Sequence, residues 1–227
     1  MYAVHGSSVT QHLVLTMITA TCLAVAWWLL FGDGIVSIDT WLGWALNLGD
    51  NERRLCLGVA LSIYFVRLLF TQFVFLERAV SWGEACMVGV WIACIYLLFA
   101  IAGGTNPVQP NALLYLGVAL FVAGSWMNSY AEYARRKWKQ RPENHGRLYT
   151  LGPFRYCRHP NYLGDVISFA GICLISGLWV CALIPIAMLL GFVFVNIPIL
   201  DSHLRRHYGA AFDEYAARTP KLIPFVY

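Results

Sequence analysis

Six stretches of this chain are apolar over about the length of a bilayer core. A helix that crosses the hydrocarbon layer needs about 20 predominantly apolar residues. Residues 12–31, 55–76, 84–103, 111–131, 163–180 and 182–200 each come close to that length with few charges. Only 12% of the 227 residues are charged and 59% are hydrophobic, against roughly 25% charged in soluble domains. A water-facing surface cannot be built from so few charges, whereas lipid can replace water as the solvent for most side chains. The expected fold is all-α: a polytopic membrane helix bundle of six spans forming one membrane domain over 1–227. Aromatic residues, 15% of the chain, suit the Trp and Tyr belts of the two interfaces. Residues 35–48 are apolar but short and carry Asp39, which leaves open a re-entrant or interfacial helix, or a seventh, very short span. The N-terminus lacks the basic region and small-residue cleavage site of a signal peptide, so the first apolar run is expected to persist.

Charge sets an expected orientation. Arg135, Arg136, Lys137, Lys139, Arg141, Arg147, Arg155 and Arg158 crowd the loop after the fourth span, opposed only by Glu143. Such a run can mean nucleic acid binding. In a membrane chain it more often marks a cytoplasmic loop, or a site for an anionic cofactor. The basic tail, with Arg205, Arg206, Arg218 and Lys221, falls on the same side because two spans intervene. Both termini are then expected in the cytoplasm, with a bacterial inner membrane as the location. Arg53 and Arg54 fall on the opposite side. In the tail, Leu204, Tyr208, Ala211, Phe212 and Tyr215 recur at helical spacing, so 201–217 reads as an amphipathic cytoplasmic helix. It would serve as a surface anchor or as a lid. Seven cysteines form no Cys-x-x-Cys pair, and no metal site or disulfide framework is expected.

Two segments depart from what a bland bundle needs. Arg67 sits near the middle of the second span, where an arginine costs at least about 2.5–3.5 kcal/mol unless it faces a polar interior. Tyr64 lies three residues earlier, on the same helical face, and a phenol beside a cation is a better proton donor. A structural ion pair of Arg67 with Glu77, Glu84 or Glu132 is the plainer alternative. The second segment runs from Arg141-Pro142-Glu143-Asn144-His145-Gly146-Arg147 to Arg158-His159-Pro160-Asn161-Tyr162-Leu163-Gly164-Asp165. Gly and Pro hold irregular backbone close to a ligand, and arginines grip phosphates or carboxylates in forked geometry. Flanking positive charge accounts for the arginines but not for His-Pro-Asn-Tyr-x-Gly-Asp.

Residues 158–165 resemble the C-terminal signature of sterol reductases. The tail Asp201-Ser202-His203-Leu204-Arg205-Arg206-His207-Tyr208-Gly209, with Tyr215 and Leu222-Ile223-Pro224-Phe225, is similar to the same families. Steroid 5-alpha-reductases share a looser form. Isoprenylcysteine carboxyl methyltransferases share Arg-His-Pro-x-Tyr-x-Gly and the Tyr-x-x-Tyr tail. The three make one membrane superfamily, and the resemblance covers roughly the last 90 residues. Asn161 and Asp165 fit the reductase form, and Tyr64-Phe65-Val66-Arg67 is similar to the 5-alpha-reductase segment with the proton-donating Tyr and a cofactor-binding Arg. The resemblance therefore implies NADPH as cofactor, Tyr64 as acid and Arg67 as a catalytic and cofactor contact. It implies Arg141, Asn144, Arg147, Arg158, His159, Asn161, Tyr162, Asp165, Asp201, His203 and Tyr208 around the cofactor. Residues 12–110 would form the substrate side and 111–227 the cofactor half, acting on a lipophilic steroid-like or isoprenoid-like molecule that enters from the bilayer. No carboxylate partner for Tyr64 is evident; Asp39, Asp50 and Glu52 are the candidates. No Gly-x-Gly-x-x-Gly turn is present, which excludes a Rossmann platform. S-adenosylmethionine in the same pocket, serving a methyltransferase, is the alternative. A non-catalytic lipid-binding or scaffold protein is a third.

Overall fold

The computed structural model describes residues 8–76 and 78–227, and the architecture is all-α, with no strand among the described residues. Helix α1 spans Val9–Phe31, α2 Gly34–Leu42, α3 Asn51–Phe70, α4 Trp82–Thr105 and α5 Ala112–Lys139; α6 follows at Pro160–Ser176, α7 at Leu183–Gly191, α8 at Ile197–Tyr208 and α9 at Ala210–Arg218. A π-helical turn, Thr71–Phe75, prolongs α3, and another, Phe192–Asn196, joins α7 to α8. Five helical segments are long and apolar enough to cross a membrane: Val9–Phe31, Asn51–Phe75, Trp82–Thr105, Ala112–Lys139 and Trp179–Tyr208. The protein is an integral membrane protein of polytopic helical type. The expected fifth span, 163–180, is α6, which has only 17 residues and stands at the lower limit for a crossing helix. Its end is set by Gly177, whose φ of 72° permits the left-handed turn that closes many helices.

Helix starts are written locally. Asp50 caps α3 by accepting from the Arg53 main-chain N–H at 3.0 Å, and Ser81 caps α4 by accepting from that of Glu84. Asn111 accepts from the N–H groups of Leu113 and Leu114 at the start of α5. Each satisfies donors that the first helical turn leaves open. The segment 35–48 yields α2, nine residues long, about 14 Å at 1.5 Å per residue, too short to span. Trp41 near its end and Trp44 just beyond it are exposed, as interfacial aromatics would be.

The expected tail helix 201–217 forms in two pieces. Asp201–Tyr208 continues the last span, and Gly209, with φ of 54°, breaks the rod before α9. A helix running through Gly209 would have kept the apolar positions on one stripe. The break instead lets Phe212 and Tyr215 become buried.

The chain divides into two compact units, one within Met1–Phe121 and Ala170–Ile184, the other within Val122–Phe169 and Pro185–Tyr227. In the first, Tyr96 donates its hydroxyl to the Leu61 carbonyl at 3.0 Å, which ties α4 to α3. In the second, α5 meets α6 through small residues. A Cβ on Gly124 would lie 2.5 Å from the Gly164 carbonyl oxygen, and the Ser125 and Ser168 hydroxyls are 3.4 Å apart. Without water between helices, such close backbone approach and polar contact supply the packing energy. It also brings the head of α6 beside the last turns of α5.

Candidate functional site

Where α6 begins, the backbone is clamped by the tail. The Arg158 N–H donates to the Pro220 carbonyl at 2.8 Å and the His159 N–H to that of Lys221 at 3.1 Å. Tyr215 donates to the Phe154 carbonyl at 2.7 Å. Burial pushes the Tyr215 phenol well above its ordinary range. It likewise pushes the neighbouring Cys157 thiol up to about 11, so that thiol is inert at neutral pH. Tyr149, packed with Phe154 and Trp138, is also raised by burial.

Asp201 is the centre of the charged cluster. One carboxylate oxygen lies 3.1 Å from Arg158 Nη1 and the other 3.0 Å from His159 Nε2. The three side chains are 14%, 8% and 2% exposed respectively, Asp201 first. The His159 ring is parallel to that of Tyr162 at 5.3 Å, and Tyr162 stacks on Phe192 at 4.4 Å. That places Tyr162 in a fixed three-ring pile, with Phe192 supplied by the π-helical turn. In the first turn of α6, Asn161 donates to Glu132 at 2.8 Å, while Asn128 donates to the Asn161 carbonyl at 3.0 Å. Glu132 also pairs with Arg135. Lys139 donates to the Tyr208 hydroxyl at 3.0 Å.

Of these groups Arg135, Lys139, Arg158, His159, Asn161 and Tyr208 border one partly open cavity of about 60 Å³, while Asp201, Tyr162 and Glu132 touch its lining residues without lining it. Arg135, Lys139 and Arg158 supply cations, His159, Asn161 and Tyr208 polar edges, and Tyr149, Phe154, Leu200, Leu204 and Tyr215 an apolar wall. Arg158 Nε is buried without a partner among the described residues, a donor at the cavity wall that awaits an acceptor. A second cavity shares Leu148, Tyr208 and Tyr215 with the first and adds Arg147, His207, Glu214 and Arg218. Cations, flat rings and amides around an amphipathic void suit a ligand with phosphates and an aromatic base. On those observations the residues present fit a phosphate-bearing coenzyme. Among the described residues no cluster of three or more potential ligands could hold a metal ion.

The structure brings Arg158, His159, Asn161, Tyr162, Asp201 and Tyr208 together, with Arg147 in the adjoining cavity. Others stand apart. Asn144 is buried and spends its amide on the Trp138 carbonyl, so it shapes the loop. Arg141 is exposed and lines neither cavity. Asp165 and His203 also line neither, and the His203 ring is parallel to that of His207 at 6.3 Å. Tyr64 and Arg67 belong to α3 in the other unit; Tyr64 is buried with its ring 6.0 Å from that of Tyr96. Of the carboxylates weighed as partners for Arg67, Glu84 pairs with Arg78 and Glu132 with Arg135, and Glu77 lies outside the described residues. Those weighed for Tyr64 have other engagements. Asp39 accepts from the Leu46 N–H, Asp50 caps α3 and Glu52 accepts from Tyr115. Glu132, Arg135 and Lys139 were not assigned to the site from the sequence, which places Arg135 and Lys139 only in a general basic run and Glu132 as a possible partner of Arg67. Their spacing of three and four puts them on one face of α5, a signal hidden when the segment is read only as a run of charge.

Residues 84–219 match the family described as "Protein of unknown function (DUF1295)". The chain belongs to this family. It is 29% identical over 145 residues to 3-oxo-5-alpha-steroid 4-dehydrogenase 2 of Homo sapiens, covering 64% of this chain and 55% of the relative. It is 35% identical over 112 residues to the probable O-methyltransferase ustE of Ustilaginoidea virens, covering 48% and 38%. It is 32% identical over 88 residues to protein-S-isoprenylcysteine O-methyltransferase B of Arabidopsis thaliana, covering 39% and 45%. The chain thus spans about half the length, or less, of these relatives. The resemblance drawn from residues 158–165 and the tail is to this same superfamily, and the relatives bear enzyme names of two chemistries.

Proposed function

We propose that this protein is a membrane-embedded, NADPH-dependent reductase of a carbon–carbon double bond in a lipophilic, steroid-like or isoprenoid-like molecule drawn from the bilayer. The observation that carries the reading is the excess of cation over anion around the cavity at the head of α6. Arg135, Lys139 and Arg158 border it, with Asp201 and Glu132 holding two of them from behind. A coenzyme bearing several phosphate charges gains from that field, whereas a sulfonium compound does not.

Arg158, Lys139 and Arg135 would grip the phosphates, with Arg147 beside them. Asn161, oriented by Glu132, would present its amide to a ribose or nicotinamide edge. NADPH bound there would supply the hydride. On α3, Tyr64 would donate a proton to the substrate, and Arg67 would stabilise the negative charge that develops on its oxygen. The apolar wall of the cavity would keep water from the reacting centre. The basic end of α5 would face the cytoplasm, where the coenzyme pool lies.

Calorimetry on detergent-purified protein, titrated separately with NADPH and S-adenosylmethionine, tests this. Saturable heat with NADPH, abolished in Arg158→Ala, is the expected result. Binding of S-adenosylmethionine with no response to NADPH would overturn it. The second reading, an O-methyltransferase using the same cavity, is favoured by two relatives bearing that name. It needs no proton donor on α3, so Tyr64→Phe would leave its turnover intact.

A further inference from the structure

The first unit contains a second polar site, at the start of α5. Four helix ends meet there: the start of α3, the end of α4, the start of α5 and the end of α6. They border a partly open cavity of about 110 Å³, lined by Arg53, Asn106, Asn111, Leu113, Leu174 and Trp179 among others. Arg53 is only 2% exposed. Its guanidinium donates to the Ile175 carbonyl at 2.5 Å and to the Val108 carbonyl at 3.0 Å. Its Nε has no partner, and no carboxylate pairs with the guanidinium among the described residues. Asn106 donates to the neighbouring Ser176 carbonyl at 2.9 Å.

Capping the end of α6 explains the contact with Ile175, and bracing the loop between α4 and α5 the contact with Val108. Neither explains why a full cation is buried for the purpose, when Asn106 does the same work without charge. Buried charges are ordinarily paired. This one donates only to main-chain carbonyls, with the Asp50 carboxylate that caps α3 acting on it from beyond salt-bridge distance, beside an open cavity whose remaining border is apolar apart from Asn106 and Asn111. Three of the four helices, α3, α4 and α5, are long and apolar enough to cross a membrane, and the ends of spanning helices lie at the depth of lipid headgroups. Trp179, 84% exposed, stands at the cavity's rim as interfacial tryptophans do. A basic pocket between spans at headgroup depth suits a phosphate carried on acyl chains.

We propose that the Arg53 cavity binds the phosphate of an anionic membrane lipid, with an acyl chain laid along Leu113, Leu174 and Trp179. The phosphate supplies a counter-charge in direct contact, which Asp50 provides only at longer range, and the chain covers the apolar border. The site is independent of the coenzyme reading above.

Native mass spectrometry on delipidated full-length protein in detergent tests it, with phosphatidylglycerol, phosphatidylcholine and inorganic phosphate as separate probes. Phosphatidylglycerol should form a stoichiometric adduct that resists dissociation, phosphatidylcholine a weaker one and phosphate none. Arg53→Gln should abolish the adduct, but it removes a cap of α6 as well. Asn111→Asp separates the two effects. The carboxylate retains the cap on α5 and sets a negative charge at the cavity, so phosphatidylglycerol affinity should fall about tenfold or more. An adduct that survives unchanged in Asn111→Asp, or equal retention of phosphatidylcholine, would overturn the proposal. Retention of inorganic phosphate in preference to the lipid would overturn the lipid as the occupant.

Discussion

Replacing Asp201 by Asn tests the organisation of the α6 site most directly. The carboxylate holds Arg158 and His159 at 3.1 and 3.0 Å with all three side chains largely buried. Exposed ion pairs of this kind contribute less than about 1 kcal/mol, but breaking a buried pair costs about 3–5 kcal/mol because a charge is stranded. Asn keeps one acceptor oxygen and the shape of the side chain, so the low end applies, about 3 kcal/mol. Arg158 already has an unpartnered Nε, and the variant would leave it two open donors. At roughly 2–4 °C per kcal/mol for a chain of this size, thermal unfolding in detergent should fall by about 6–12 °C. The double variant Arg158→Met with Asp201→Asn removes the stranded charge and should recover part of the loss. A single variant as stable as the parent, or a double variant whose losses simply add, would refute the view that Asp201 exists to compensate Arg158.

Other outcomes follow from the same geometry. Tyr64→Phe should cut turnover by about 100-fold or more while NADPH affinity by calorimetry stays unchanged; equal activity would remove Tyr64 from the chemistry. Glu132→Gln keeps an acceptor for Asn161 but releases Arg135, so NADPH affinity should change while thermal stability shifts little. An unchanged affinity would take Arg135 out of the site. Gly124→Ala should destabilise by about 1–3 kcal/mol through overpacking, because its Cβ would meet Gly164 and Ser168 backbone atoms at 2.5 Å; a lowered unfolding temperature checks it. Cys157 has a folded-state pKa raised from 9.0 to about 11. The native state therefore holds its proton more tightly than the unfolded chain. The stability this contributes is complete below pH 9.0 and is lost as pH rises toward about 11, as linkage requires. Unfolding temperature should fall less steeply across that window in Cys157→Ala than in the parent, and parallel slopes would contradict the assignment.

Much of this was legible in the chain itself, for a local reason. Span positions follow from runs of apolar residues, because the bilayer solvent must match every side chain over about 30 Å. Caps such as Asp50, Ser81 and Asn111 are equally local, since the donors they satisfy are two or three residues away, though the sequence reading weighed Asp50 only as a partner of Tyr64. The motif 158–165 and the tail were recognisable by resemblance, and the family match over 84–219 agrees on the superfamily. Packing alone decided the pairing of Asp201 with His159 across 42 residues. It also decided the choice of the Glu132, Arg135 and Lys139 face of α5, the break at Gly209, and the turn that slides Phe192 under Tyr162. Periodicity says which residues share a face, but not which face another helix will meet. That is set by close backbone approach at Gly124 and Gly164 and by where a buried charge finds its counter-charge. These are contacts between distant positions, and no single stretch of the sequence contains them.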